Sequence, residues 1–142
     1  MLVELLLRHW KLDNASDIIG KIYNDSDKAT IAALSTLVFA AARDGDEVAH
    51  GIVENAAREL ALATVAVKNS LDFSGQQIAL ALGGGLLLYE IDFRTKVIQA
   101  ISTCMSVGEV ALVEEPALSG ARSIQGDREG RPIGINLMKR SE

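Results

Sequence analysis

A basic surplus, a disulfide partner and a membrane-length apolar run are all missing from this 142-residue sequence. Nineteen acidic residues outnumber fourteen basic ones, for a formal net charge of −5, and the basic residues are not clustered. Phosphate backbones need a basic surface, so nucleic acid is disfavoured as a partner. Cys104 is the single cysteine, which rules out an internal disulfide and gives no sign of an oxidising compartment. No apolar run approaches the ~18 residues that cross a bilayer. The start of the chain is not a signal peptide either, because Leu5 to Leu7 is short and is followed by Arg8 and His9. A cytoplasmic protein with no membrane or nucleic-acid partner is the expectation. Aromatic residues are only 4%, so alanine and leucine carry the apolar load and the composition leans towards close-packed helices. Also absent are a Walker-type loop, paired cysteine ligands, an HExxH helix, a serine nucleophile elbow and an Asp-x-Gly-x-Thr hairpin.

What is present organises itself around Gln77 to Leu88, written QIALALGGGLLL. The run Ile78-Ala79-Leu80-Ala81-Leu82 has no polar residue and stops at Gly83, Gly84 and Gly85. Such a run, ended by turn residues, predicts a strand covered on both faces, as in a parallel α/β sheet. Ligands of parallel sheets sit beyond the carboxyl ends of the strands, where these glycines fall. Glycine admits φ > 0 and close backbone approach, and a helix beginning there favours negative charge. A tight strand-to-helix turn without a ligand accounts for the same three residues. A second strand is expected at Glu109 to Val113, after a helix from Phe93 to Cys104 capped by Asp92 with Val97, Ile98 and Ile101 inward. Strand, helix and strand at this spacing predict a βαβ unit with both strands parallel.

Before that unit the periodicity is helical. Short helices are expected at Leu2 to Lys11 and at Asp17 to Tyr23, the second with Ile18, Ile19 and Ile22 inward. An apolar helix beginning at residue 2 suggests either that the natural chain continues upstream or that Met1 is not native to it. One helix is predicted from Lys28 to Arg43, ended by Asp44-Gly45-Asp46. Gly45 suits the left-handed closing position and Asp46 the N-cap of the next helix. Asp44 and Asp46 as a metal or general-base pair is the alternative to capping. The longest helix runs from Glu47 to Leu71, with Val48, Ile52, Ala56, Leu60, Ala63 and Val67 forming one apolar stripe. It pairs with the preceding helix to supply much of the core, and Leu60, Ile78, Leu80 and Leu82 are the residues expected to be fully buried. His50 reads as a surface histidine and Cys104 as a small apolar filler. Ala117 to Ile124 reads as a last short helix, and from Gln125 the chain becomes a loop and tail in which Ile133 to Met138 suits an edge strand.

Three stretches in this order carry a family resemblance: AALSTLVFAAARDGDEVAHGIVENAARELA at Ala32 to Ala61, IALALGGGLLL at Ile78 to Leu88, and VALVEEPALSGARSI at Val110 to Ile124. They resemble the N-acetylglucosamine kinase and BadF-type ATPase group of the sugar kinase, Hsp70 and actin superfamily. The resemblance covers most of residues 1–124 and not the tail, 125–142. It implies a helix-rich α/β fold, part of a ribonuclease H-like (actin-like ATPase) C-terminal lobe with a small parallel sheet. It further implies an ATP or ADP site whose adenosine end is lined by Gly83, Gly84 and Gly85, with Gly120 and Ala121 nearby, and Mg²⁺ arriving with the nucleotide. The catalytic aspartate and phosphate loops of that group lie in an N-terminal lobe that these residues do not match. None of the nine aspartates here sits in a matching motif, so no catalytic residue and no metal ligand is assigned.

The resulting reading is the nucleotide-binding C-terminal portion of an ATP-dependent kinase for an amino sugar, not catalytic alone. Its partners are the nucleotide, the sugar, and a second copy or the missing N-terminal lobe. A BadF-type activator ATPase fits less well, because its cluster-ligating cysteines have no counterpart in Cys104. The alternative of another class is a stand-alone helical interaction module in which dimerisation is the activity. Unpaired strand edges and an apolar helix face both favour such pairing.

Overall fold

The computed structural model describes residues 1–25, 27–71, 73 and 75–114. The expected helix at Ala117 to Ile124 and the tail lie outside them, as do Gly120 and Ala121. The chain divides into two compact units, Met1–Ala56 and Ala57–Glu142. No helix among the described residues is long and apolar enough to cross a membrane.

In the first unit, helix α1 spans Leu2–Trp10, α2 Ala15–Asp25, α3 Lys28–Ala33, α4 Ser35–Arg43, and α5 begins at Glu47 and continues to Ser70. The single helix expected over Lys28 to Arg43 is thus two. At Leu34 the ladder tightens to i→i+3 bonds, with the Leu34 amide on the Ile31 carbonyl and the Leu37 amide on that of Leu34. The Thr36 hydroxyl donates to the Ala33 carbonyl at 2.9 Å, the local competition that makes such residues poor helix interiors. Asp27 opens α3 by accepting from the Thr30 amide at 2.7 Å. Gly45 closes α4 with φ +85°, as its sequence position predicts. The core gathers Leu2, Ala41 and Ala49, with Leu5, Leu6, Val38 and Ala42 packed around them. Two alanines without accessible surface bring backbones close and leave little room for anything larger. Ile19, expected inward, is exposed on α2.

In the second unit, strand β1 (Ile78–Gly83) leads through α6 (Gly85–Tyr89) and α7 (Ile91–Ser102) to β2 (Val107–Val113), and the two strands pair in parallel. The βαβ order is therefore as expected. β1 is not covered on both faces: Ile78, Leu80 and Leu82 are buried while Ala79 and Ala81 are exposed. The open face is furnished with alanine, so the alternation was hidden inside an unbroken apolar run. α7 buries Phe93, Val97 and Ile101, as the helical period requires. It starts one residue before Asp92, and its N-cap, Glu90, makes no side-chain cap bond.

Two further corrections concern α5 and Cys104. The buried positions of α5 are Ala49, Val53, Ala57 and Ala61, spaced by four. The larger residues of the expected stripe are exposed: Val48, Ile52, Leu60 and Val67 all show more than a third of their surface, Leu60 being 38% exposed. The physical reason is again size, since the close-packed side is the alanine side. Cys104 is exposed and is not a core filler.

Candidate functional site

β1 ends where its apolar alternation ends, with Gly83 still in register against Val113 of β2. Gly84 then adopts φ +93°, ψ +150°. This region is essentially closed to residues with a Cβ, so the turn requires glycine. Gly85 opens α6 with an ordinary backbone, and a Cβ built on it would meet no atom within 4 Å. Gly84 and Gly85 are both exposed, so their backbone is accessible. The first amides of α6 have no intrahelical acceptor by helix geometry. Five residues make little macrodipole, so the turn offers open backbone rather than the helix field expected from the sequence.

Opposite the turn, α6 is held by a cation. The Arg94 guanidinium, from the first turn of α7, donates from one nitrogen to the Leu87 carbonyl at 2.9 Å and to the Leu88 carbonyl at 3.0 Å. The Leu88 amide in turn donates to the Gly84 carbonyl at 3.0 Å. Arg94 was not among the residues singled out from the sequence. The signal was weak: an arginine a few residues beyond a short apolar segment, with nothing to say that two helices would meet there.

A cavity of about 350 Å³ lies at the other end of the sheet, beside Ile78 at the start of β1 and Ser106 just before β2. Lys68, Phe73, Gln76 and Met105 also line it. Its lining does not include the glycine turn. Its floor, Ile78 and Met105, is buried core, whereas the turn exposes backbone; volume alone does not make the cavity the better candidate.

The remaining polar candidates resolve as structure. Asp46 accepts from the Ala49 amide through Oδ1 at 2.9 Å and from the Leu2 amide through Oδ2 at 2.7 Å. One carboxylate thus caps both α5 and α1, and these two bonds hold its pKa below the ordinary value. Asp44 follows α4 and is exposed. Asp46 is thus a cap, as its sequence position predicts, and Asp44 is the C-cap residue of α4. His50 is exposed, 3.9 Å from Glu54 one helical turn on.

Over 83 residues the chain is 35% identical to the N-acetylmuramic acid/N-acetylglucosamine kinase of Clostridium acetobutylicum. The match takes in 58% of this chain and 27% of that kinase, so it spans about a quarter of the relative's length. It supports a relationship to sugar kinases. No family model matches the chain, and no solved structure matches it significantly.

Proposed function

We propose that this chain supplies the adenosine side of the nucleotide site in an ATP-dependent kinase acting on an amino sugar, and that its fold is part of an actin-like C-terminal lobe. The reading is supported by the kinase similarity and carried by one observation. Gly84 and Gly85 stand together, exposed, at the carboxyl end of a parallel strand, where α/β sheets take their ligands. The backbone conformation explains why residue 84 is glycine. Nothing in the surrounding packing explains residue 85, where alanine would favour the helix. Unhindered glycines also occur inside α2 and α5, at Gly20 and Gly51. What distinguishes Gly85 is its place beside Gly84 at the strand end. Ribose and phosphate oxygens would lie against Gly83, Gly84 and Gly85, and a side chain at 85 would intrude on them. Gly120 and Ala121 belong to the same proposal through the resemblance alone.

Phosphoryl transfer to a sugar hydroxyl requires a base, positioned phosphates and charge neutralisation, with Mg²⁺ as the usual companion of ATP. No residue of this chain is assigned to those roles. On this reading the chain binds nucleotide and transfers nothing alone.

The test is calorimetric titration of the protein with ADP and Mg²⁺, comparing wild type with Gly85→Val. Gly85→Val is a cleaner probe than Gly84→Val, because a side chain at 84 strains the backbone whether or not a ligand is present. Binding that is lost in Gly85→Val at unchanged stability supports the reading. Wild-type indifference to ADP sinks it. A second reading, a helical interaction module, is favoured by the exposed apolar side chains Leu62, Val67 and Leu71 at the end of α5 and beyond. It predicts a tight dimer by sedimentation, with no response to ADP.

A further inference from the structure

We infer that Arg94 is a positioning residue for the glycine turn, fixing its conformation through α6; the inference rests on the nucleotide reading for its functional meaning, but not for its structural content. α6 is only Gly85–Tyr89, and its N-terminal end has no side-chain cap. Its N-cap is Gly84, which has no side chain, and its C-cap, Glu90, contributes a backbone amide to the Leu86 carbonyl. A helix of barely more than one turn is marginal without tertiary support. Arg94 provides that support at the carbonyl end, where the last carbonyls of a helix lack intrahelical donors.

The geometry connects the guanidinium to the turn in two steps. One Arg94 nitrogen carries two N–H groups, and it serves the Leu87 and Leu88 carbonyls at 2.9 and 3.0 Å. Leu88 then uses its own amide to hold the Gly84 carbonyl at 3.0 Å. The peptide plane of Gly84, the residue with φ +93°, is therefore tied through Leu88 to a side chain of α7. The Arg94 backbone joins the same knot, its amide donating to the Glu90 carbonyl at 3.0 Å. A lysine ammonium has donors enough for both carbonyls, but its flexible stem and rotatable donors do not hold them in a fixed plane as the guanidinium does, so lysine should keep only part of the constraint. Arg94 touches no ligand on this account. It sets the shape of the backbone that does.

The experiment measures amide hydrogen exchange by NMR in the free protein for wild type, Arg94→Lys and Arg94→Ala, and then repeats the ADP titration on all three. Arg94→Ala is expected to speed exchange at Leu88 on the order of tenfold, as loss of a charge-assisted bond implies, with Val97 and Ile101 unchanged. Arg94→Lys should fall between. ADP affinity should weaken in the same order. Unchanged exchange at Leu88 in Arg94→Ala overturns the inference, whatever ADP does. Acceleration spread equally over Val97 and Ile101 overturns it too, because Arg94 would then merely hold the unit together. If wild type ignores ADP, the nucleotide reading fails, and the exchange data still decide whether Arg94 shapes the turn.

Discussion

Two adjacent glycines should respond to alanine with opposite signs. At Gly84 the φ of +93° and ψ of +150° fall where an L-residue pays about 1–3 kcal/mol in backbone strain. The added methyl meets nothing within 4 Å, so the whole effect comes from the backbone and not from a clash. At Gly85 the backbone is helical and the space equally open, so alanine should stabilise by roughly 0.5 kcal/mol by restricting the unfolded chain. Urea unfolding, followed at the amides of β1, reads the second unit directly and does not require both units to melt together. Gly84→Ala should lower the midpoint and Gly85→Ala should raise it slightly, with unchanged slopes. D-alanine at position 84, introduced by ligation, should recover the wild-type midpoint, because its mirror-image preference admits positive φ. Equal destabilisation by both L-alanine variants would refute the reasoning. So would a neutral Gly84→Ala, for then the turn would not hold the conformation on which the site depends.

The first unit carries an acid response with a definite sign. Asp27 is lowered from the ordinary 3.8 chiefly by the Thr30 amide, and Asp46 by the amides of Ala49 and Leu2. Their stabilisation is present above the unfolded value and is lost as pH falls through the lower folded values. Helical circular dichroism should therefore decline below about pH 3.8, and Asp27→Asn with Asp46→Asn should flatten that decline. On α5, Ala57→Leu forces extra methylenes into a buried site and should cost about 1–3 kcal/mol. Val67→Gln, on the stripe that looked like core, should change stability by no more than about 0.5 kcal/mol in the same urea assay.

The strand-helix-strand order and its parallel pairing were legible because an apolar run from Ile78 stops at glycines and a helix and a second apolar run follow at crossover spacing. Which face lay open was not legible. Alanine counts as apolar in a pattern, yet Ala79 and Ala81 face outward while Ala41, Ala49 and Ala57 form the tightest packing. A residue that small reports permission to pack closely and not the direction in which packing occurs. The same ambiguity moved the buried side of α5 from Ile52 and Leu60 to the alanines beside them. Capping was legible at Gly45 and Asp46, since both are local chemistry. That Asp46 also caps α1, forty-four residues away, depends on tertiary structure and left no local trace.

The candidate site divides along the same line. Its glycines are local and were visible in the sequence, and the left-handed backbone at Gly84 is what a strand-end glycine permits. What makes the turn a defined surface is non-local. A helix of five residues would by itself sample many arrangements, and a loop of glycines would offer a ligand no fixed backbone. Arg94 removes that freedom by bonding two carbonyls of α6, and Leu88 passes the constraint to Gly84. Rigidity before binding spares the ligand the cost of ordering the loop. The glycines alone therefore allow a site, and the guanidinium behind them is what gives it a shape to recognise.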